Sequence, residues 1–74
     1  MRLTFHAPGR LFVDIRVTTL GYWMRIERMV DNPPELPGDI VCHVLVKELS
    51  ELSEVLSEFK IPVEMEYLQA LLWG

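Results

Sequence analysis

Few residues of this chain have the type and spacing that catalysis requires. Cys42 and His43 are a potential nucleophile and base, but neighbouring residues of a strand point to opposite faces and cannot act as a direct pair. Glu64 and Glu66 share a predicted strand face, yet a solvated pair lacks the desolvation that separates two carboxyl pKa values for acid and base work. We therefore expect a non-enzymatic protein.

Residues that bind metals and cofactors are equally sparse. Cys42, His6 and His43 have no spacing that resembles a zinc site. The four glycines, at positions 9, 21, 38 and 74, are too scattered to form a phosphate-binding loop before a helix. The sequence predicts no catalytic residue, no metal and no cofactor, and it leaves open whether a small molecule binds.

Composition points to a small cytoplasmic protein. A chain of 74 residues is predicted to form one domain over 1–74. The single cysteine excludes an internal disulfide and fits a reducing compartment. The amino-terminal segment has no continuous apolar core, and no run approaches the roughly 18 apolar residues of a membrane span. We expect no leader segment and no membrane association.

Charge divides the chain into two parts. The net charge is −4, but residues 1–30 hold five arginines against two carboxylates, whereas residues 31–74 hold two lysines against nine carboxylates. Arginines with interleaved aromatic rings suit nucleic acid, because guanidinium groups bind phosphates and rings stack on bases. Overall acidity opposes this, and Asp14 and Glu27 neutralise part of the basic segment, so nucleic-acid binding is an alternative only. The arginines concerned are Arg10, Arg16, Arg25 and Arg28, with Tyr22 and Trp23 between them.

The acidic half offers a second candidate surface. Its usual meaning is a solvated helix face and sheet edge. A variant hypothesis is that it engages a basic groove on another protein and imitates nucleic acid, which predicts binding that weakens steeply with salt. The residues concerned are Glu51, Glu54, Glu58, Glu64 and Glu66.

Apolar side chains are in excess for so small a domain. Half of the residues are apolar, and the segment 68–74 forms an apolar carboxyl-terminal tail. That tail either packs onto the core of its own domain or docks on a partner with an aromatic anchor. The candidate partner contacts are Trp73, Leu72, Leu68, Trp23 and Tyr22.

The first thirty residues predict antiparallel strands. Leu3 and Phe5 alternate with polar residues, and after a turn at residues 7–9 the alternation resumes over 11–17. A third strand follows over about 22–30, in which Arg25 and Glu27 would face the charges of the second strand. A helix from about Leu20 is the competing interpretation, because the apolar spacing there also fits a helical stripe. Residues 31–39, with three prolines, predict a surface loop.

The remaining residues predict a strand, a helix and a second strand. The apolar run 40–46 is typical of a central strand. A helix is expected to begin at Glu48 or Leu49, and Val63, Met65 and Tyr67 alternate with glutamates as in a strand. The fold class predicted is α+β: a small mixed β-sheet, with amino-terminal antiparallel strands and a carboxyl-terminal β-α-β unit, and one main helix on one face. A right-handed crossover would make the last two strands parallel.

This β-α-β unit resembles half of a ferredoxin-like domain. The likeness rests on residues 39–67 and implies the architecture of many small regulatory and binding modules. The chain lacks the glycine-bearing loop between strand and helix that ligand-binding modules of this type tend to have, because Lys47 runs directly into Glu48. The segment is therefore interpreted chiefly as a scaffold.

The leading functional hypothesis is a protein-protein interaction module. It would act as a subunit or inhibitor of a larger protein, with a homodimer as a further option. The first alternative is a regulatory module that binds a metabolite between the sheet and the loop 31–39 or at a dimer interface. The second alternative is nucleic-acid binding through the arginines named above.

Overall fold

The computed structural model describes residues 1–29 and 39–73 of the chain. They form four strands followed by two helices. The predicted loop 31–39 falls outside the described residues except for Asp39, which begins the fourth strand. The bounds of the elements are β1 Arg2–Ala7, β2 Leu11–Thr18, β3 Gly21–Arg28, β4 Asp39–Val46, α1 Leu49–Glu58 and α2 Met65–Trp73.

The sheet is an antiparallel meander with the order β1-β2-β3-β4, so each strand pairs with its neighbour along the chain. The alternation of apolar residues correctly predicted the first three strands. The helix proposed from Leu20 is wrong, because a two-residue turn joins Thr18 to Gly21 and returns the chain directly into β3. The Thr18 hydroxyl donates to the Gly21 carbonyl at 2.9 Å and accepts from the Leu20 amide at 3.1 Å.

Gly21 is required at the start of β3. Its φ is +134°, and a Cβ added there would overlap the Val46 carbonyl oxygen. Any side chain would collide with the backbone of β4. The close approach of β3 and β4 at this point therefore depends on glycine.

The predicted mixed sheet with a β-α-β unit is wrong. The residues predicted as the last strand instead lead into α2, in which the amides of Tyr67 and Leu68 both donate to the Glu64 carbonyl at 3.1 Å. Alternation over five residues, 63–67, was too short to exclude a helix. Residues 64–72 are rich in strong helix formers, and Leu68 and Leu72 lie four residues apart on one buried face.

Two further fold predictions are wrong because residues 63–67 do not form a strand. The ferredoxin-like resemblance does not hold, because the described elements run β-β-β-β-α-α and two helices, not one, cover the sheet. Without a strand after α1, β4 has one strand neighbour among the described residues and lies at an edge, not in the centre. The start of α1 at Leu49 is confirmed, and the Glu51 carboxylate accepts from the amides of Lys47 and Glu48 at 3.1 Å, which caps the helix.

The core lies between one face of the sheet and the two helices. Because side chains alternate along a strand, the buried apolar residues of β2 and β3 all point to the helices. The helices contribute pairs spaced by four residues, Leu52 with Leu56 and Leu68 with Leu72, which are fully buried. The buried hydrophobic residues are Leu11, Val13, Ile15, Met24, Ile26, Leu52, Leu56, Ile61, Leu68 and Leu72.

Candidate functional site

The opposite face of the sheet is not covered by either helix, and it carries a group of charged and aromatic side chains. We call this group the arginine cluster and this side of the sheet the open face. β1 contributes one member, β2 two and β3 two, all from positions that alternate with core residues. The cluster consists of Arg2, Asp14, Arg16, Trp23 and Arg25.

Asp14 is the centre of the cluster. Its side chain is 0% exposed, although it points away from the apolar core. Arg2 donates to both of its carboxylate oxygens, from Nε to Oδ1 and from Nη2 to Oδ2, each at 3.1 Å. Arg16 Nη2 donates to Oδ2 at 3.3 Å, and Arg25 Nη2 lies 3.8 Å from the same oxygen. Three guanidinium groups thus cover one carboxylate.

The pKa of Asp14 is lowered from its ordinary value. Burial acts in the opposite direction and is the largest single influence, because it disfavours the charged form. The hydrogen bonds and charges of Arg2 and Arg16 together outweigh burial. Asp14 therefore remains ionised at neutral pH and holds the arginines in place.

Trp23 lies beside two of these arginines. The Arg16 guanidinium carbon is 4.8 Å from the centre of its ring, and that of Arg25 is 5.4 Å away. The His43 ring meets the indole edge to face, with centroids 5.1 Å apart. Contacts between guanidinium groups and an aromatic face are attractive, so they favour this orientation of the indole on the sheet.

The cluster keeps an excess of positive charge. Arg25 Nε lies 3.1 Å from a Glu27 carboxylate oxygen, but the geometry does not form a hydrogen bond there. Counting Asp14 and Glu27 against the three arginines leaves one positive charge. Exposed apolar residues adjoin it on β4: Leu45, opposite Trp23 in the register, is 51% exposed, and Ile40, opposite Glu27, is 58% exposed.

The arginines predicted to act together are divided by the structure. Arg16 and Arg25 lie on the open face, whereas Arg28 is on the side of the helices, where it lines a surface depression with Phe59 and Lys60. Arg10 lies in the turn between β1 and β2. Arg2, which the sequence analysis did not include, takes their place in the cluster.

The two tryptophans lie on opposite sides of the molecule. Trp73 is 53% exposed at the end of α2, and its indole N–H donates to the Tyr22 hydroxyl at 2.9 Å. The two rings meet edge to face with centroids 6.3 Å apart. Leu68 and Leu72 are 0% exposed and belong to the core, so the tail residues described that reach the surface are Gln69, Ala70, Leu71 and Trp73.

The acidic candidates lie on the side of the helices. Glu51, Glu54 and Glu58 are exposed along α1, and Glu64 and Glu66 are exposed at the start of α2. Within the described residues the helical side is therefore acidic and the open face is basic. The two layers thus differ in the sign of their charge.

Cys42 and His43 point to opposite faces, as expected. Cys42 is half-buried beneath the helices, and burial together with the charge of Glu58 raises the pKa of its thiol. A raised pKa lowers the fraction of reactive thiolate at neutral pH. In residues 1–29 and 39–73 no group of three or more His, Cys, Asp or Glu side chains could hold a metal ion, and no helix is long and apolar enough to cross a membrane.

Comparison of the chain with protein-family models, curated proteins and solved structures finds no match. The metabolite site predicted beside the loop 31–39 involves residues outside the described ones. The open face is thus the candidate site that the described structure defines best.

Proposed function

We propose that the protein is a non-enzymatic binding module that docks on a larger protein through the open face of its sheet, as a subunit or an inhibitor. The observation that carries this proposal is the position of Trp23 beside Arg16 and Arg25. Tryptophan and arginine are the residue types that most often dominate the energy of protein interfaces.

The cluster reduces the entropy that binding would cost. A free arginine side chain loses considerable rotamer freedom when an interface immobilises it. Arg2 and Arg16 are already held by hydrogen bonds to Asp14, and Trp23 is already held by its neighbours. A partner therefore meets a surface that is largely in its bound conformation.

The chemistry of the open face defines the partner. An apolar area around Trp23 and Leu45 suits an apolar side chain, and the surrounding guanidinium groups suit carboxylates, which they bind in a bidentate manner. We infer a partner surface with an apolar centre and an acidic border. The acidic helical side repels the same partner, so the charge asymmetry favours docking by the open face.

The two tryptophans provide a matched test. Tagged wild-type protein, Trp23→Ala and Trp73→Ala are used to capture partners from a lysate of the source cells, followed by mass spectrometry and by measurement of Kd for the protein recovered. We expect Trp23→Ala to lose the partner and Trp73→Ala to keep it. Equal capture by wild-type and Trp23→Ala protein, with both folded by circular dichroism, would contradict docking by the open face.

Single-stranded nucleic acid is a second candidate for the same face. It is favoured by the position of Arg16 and Arg25 beside the half-buried Trp23 ring, since bases stack on aromatic rings and phosphates bind arginine. It is opposed by Asp14 and Glu27, which neutralise part of the positive charge of the arginines.

Fluorescence anisotropy separates the two candidates. Labelled mixed-sequence RNA and DNA oligonucleotides are titrated with wild-type protein and with Arg16→Ser at two salt concentrations. Nucleic-acid binding predicts an affinity that falls with salt and with loss of Arg16. An unchanged anisotropy at low salt would reject this second candidate.

A further inference from the structure

We infer that the protein forms a two-fold symmetric dimer in which β1 of one copy pairs antiparallel with β1 of a second copy. This inference concerns the β1 edge of the sheet and does not depend on the function proposed above. The observations that carry it are the unprotected edge of β1, the direction of its free backbone groups and an apolar groove beside it.

The edge at β1 lacks the usual protection against strand addition. Natural edge strands are commonly protected by lysine, proline, a bulge or a projecting charge. β1, with the sequence RLTFHA, has no lysine and no proline, and its pairing with β2 runs without a register shift. Its one arginine, Arg2, is 56% exposed, but its guanidinium group donates to Asp14 on β2.

The free backbone groups of β1 can be assigned from one hydrogen bond. The Val17 amide donates to the Met1 carbonyl at 2.9 Å, so residue 1 bonds toward β2. Residues of an antiparallel strand alternate in the side to which their N–H and C=O groups point. Leu3 and Phe5 therefore bond toward β2, and the groups of Arg2, Thr4 and His6 point outward from the sheet.

An apolar groove of about 350 Å³ runs between this edge and α2. Its walls are side chains of β1 on one side and of α2 on the other. Tyr67 is 60% exposed and Leu71 is 46% exposed, although both lie beside the core. The lining residues are Leu3, Thr4, Phe5, Val63, Tyr67, Leu68 and Leu71.

A second copy of the chain fits this surface because the surface is complementary to itself. If a two-fold axis passes through Thr4, the three outward-pointing residues of each copy pair as Thr4 with Thr4 and Arg2 with His6 of the second copy. Leu3 then lies opposite Phe5 of the second copy, on the side of the helices, in the closely spaced pair that brings side chains together. The same residues serve both copies, as a two-fold interface requires.

The axis also brings the two grooves together. Tyr67 and Leu71 of one α2 would face the same residues of the second copy, and both grooves would lose contact with water. This covers apolar surface that the single domain leaves exposed. The two sheets become one sheet of eight strands, and both arginine clusters lie on the same open face.

Two substitutions on opposite edges test the pairing. Thr4→Pro removes an outward N–H but no hydrogen bond to β2, so the fold should persist while β1 can no longer pair. Leu45→Pro is the matched control on the other edge: by the same alternation, the Leu45 amide points away from β3. Leu71→Lys is a third variant, which places a charge in the groove at an exposed position.

The readouts are mass by analytical ultracentrifugation and amide hydrogen exchange by NMR. We expect wild-type and Leu45→Pro protein to have twice the 8.6 kDa mass of one chain, and Thr4→Pro and Leu71→Lys to have that of one chain. In the wild type, the amides of Thr4 and His6 should exchange slowly. The inference is overturned if the wild type is monomeric at all concentrations, if Thr4→Pro remains dimeric, or if a dimer forms while these amides exchange rapidly.

Discussion

The two faces of the sheet arise from the same alternation of residues, yet they are stabilised by different physics. In β2, Val13 and Ile15 point to the helices and are buried among apolar side chains, whereas Asp14, between them, is equally buried on the open face under three guanidinium groups. Burial among apolar groups is favourable by itself. Burial of a carboxylate is unfavourable unless hydrogen bonds and opposite charges compensate it.

This difference separates the face that stabilises the fold from the face that positions side chains at the surface. A sheet face that needs only to be solvated requires no buried carboxylate, and a threonine in place of Asp14 would meet that need. The arginine cluster instead fixes the positions of long side chains and of one indole ring. The helix-covered face stabilises the fold, and the arginine cluster keeps the side chains of the open face in one conformation.

The largest expected effect contrasts Ile15→Ala with Arg16→Ala, neighbouring residues on opposite faces. Ile15 is 0% exposed, and its truncation leaves a cavity that should lower the free energy of unfolding by about 2–4 kcal/mol. Arg16 is about half exposed, so Arg16→Ala should cost less than about 1 kcal/mol. Urea denaturation monitored by circular dichroism measures both, and equal costs would mean that the two faces do not differ as described.

The next effect concerns the centre of the cluster. Asp14→Ala leaves Arg2, Arg16 and Arg25 close together without their shared counter-ion, and we expect a loss of about 1–2 kcal/mol in the free energy of unfolding. The value is moderate because solvent reaches the guanidinium groups. Glu27→Ala is the control, since Glu27 contacts one arginine only among the ion pairs described. A loss no greater than that of Glu27→Ala would contradict a central role for Asp14.

Acid should reduce the contribution of the arginine cluster to stability before it affects the apolar core. The pKa of Asp14 is lower in the folded protein than its ordinary 3.8, so its contribution to stability is fully present above that value and is lost as the pH falls through the folded pKa. Unfolding of wild-type protein and Asp14→Asn is compared from pH 7 to pH 2. We expect the difference in their stability to shrink at acidic pH, and a constant difference would exclude ionised Asp14 as its source.

The smallest effect concerns the hydrogen bond between Trp73 of α2 and Tyr22 of β3. Trp73→Phe removes the hydrogen bond to the Tyr22 hydroxyl and should cost about 0.5 kcal/mol, near the lower limit for a hydrogen bond, because the contact is exposed. Tyr22→Phe should cost a similar amount. The double variant should lose no more stability than either single variant. Additive losses in thermal melts would show that the hydrogen bond contributes nothing.

Sequence alone predicted the strands and missed the last element. Alternation over 11–17 is long enough to identify β2, and the turn at Gly21 gave β3 its direction. Alternation over 63–67 is short and fits either a strand or a helix. The chain forms a helix there because a helix buries Leu68 and Leu72 against the core. The edge position of β4 followed from that error, because an apolar run looks the same in a central strand and in an edge strand covered on one face.

The candidate site was predicted in part. Trp23, Arg16 and Arg25 were named from their types and their interleaving. Arg2 was missed because it lies twelve residues from Asp14, and the contact becomes visible only when the turn after Ala7 fixes the register of β1 against β2. Counting pairs outward from that turn would have placed Arg2 opposite Arg16. The inward direction of three arginines, by contrast, depends on a carboxylate whose burial the sequence does not show.

The consecutive order of the strands has a consequence for how the chain folds. The hairpins β1-β2 and β2-β3 close short loops, so the first three strands can form quickly from local contacts. The contact of α2 with β1 joins residues about sixty positions apart and closes the longest loop in the described structure. During synthesis the four strands are made before the helices that cover their apolar face. We therefore expect aggregation of nascent chains, not of the finished fold, to be the main hazard in producing this protein.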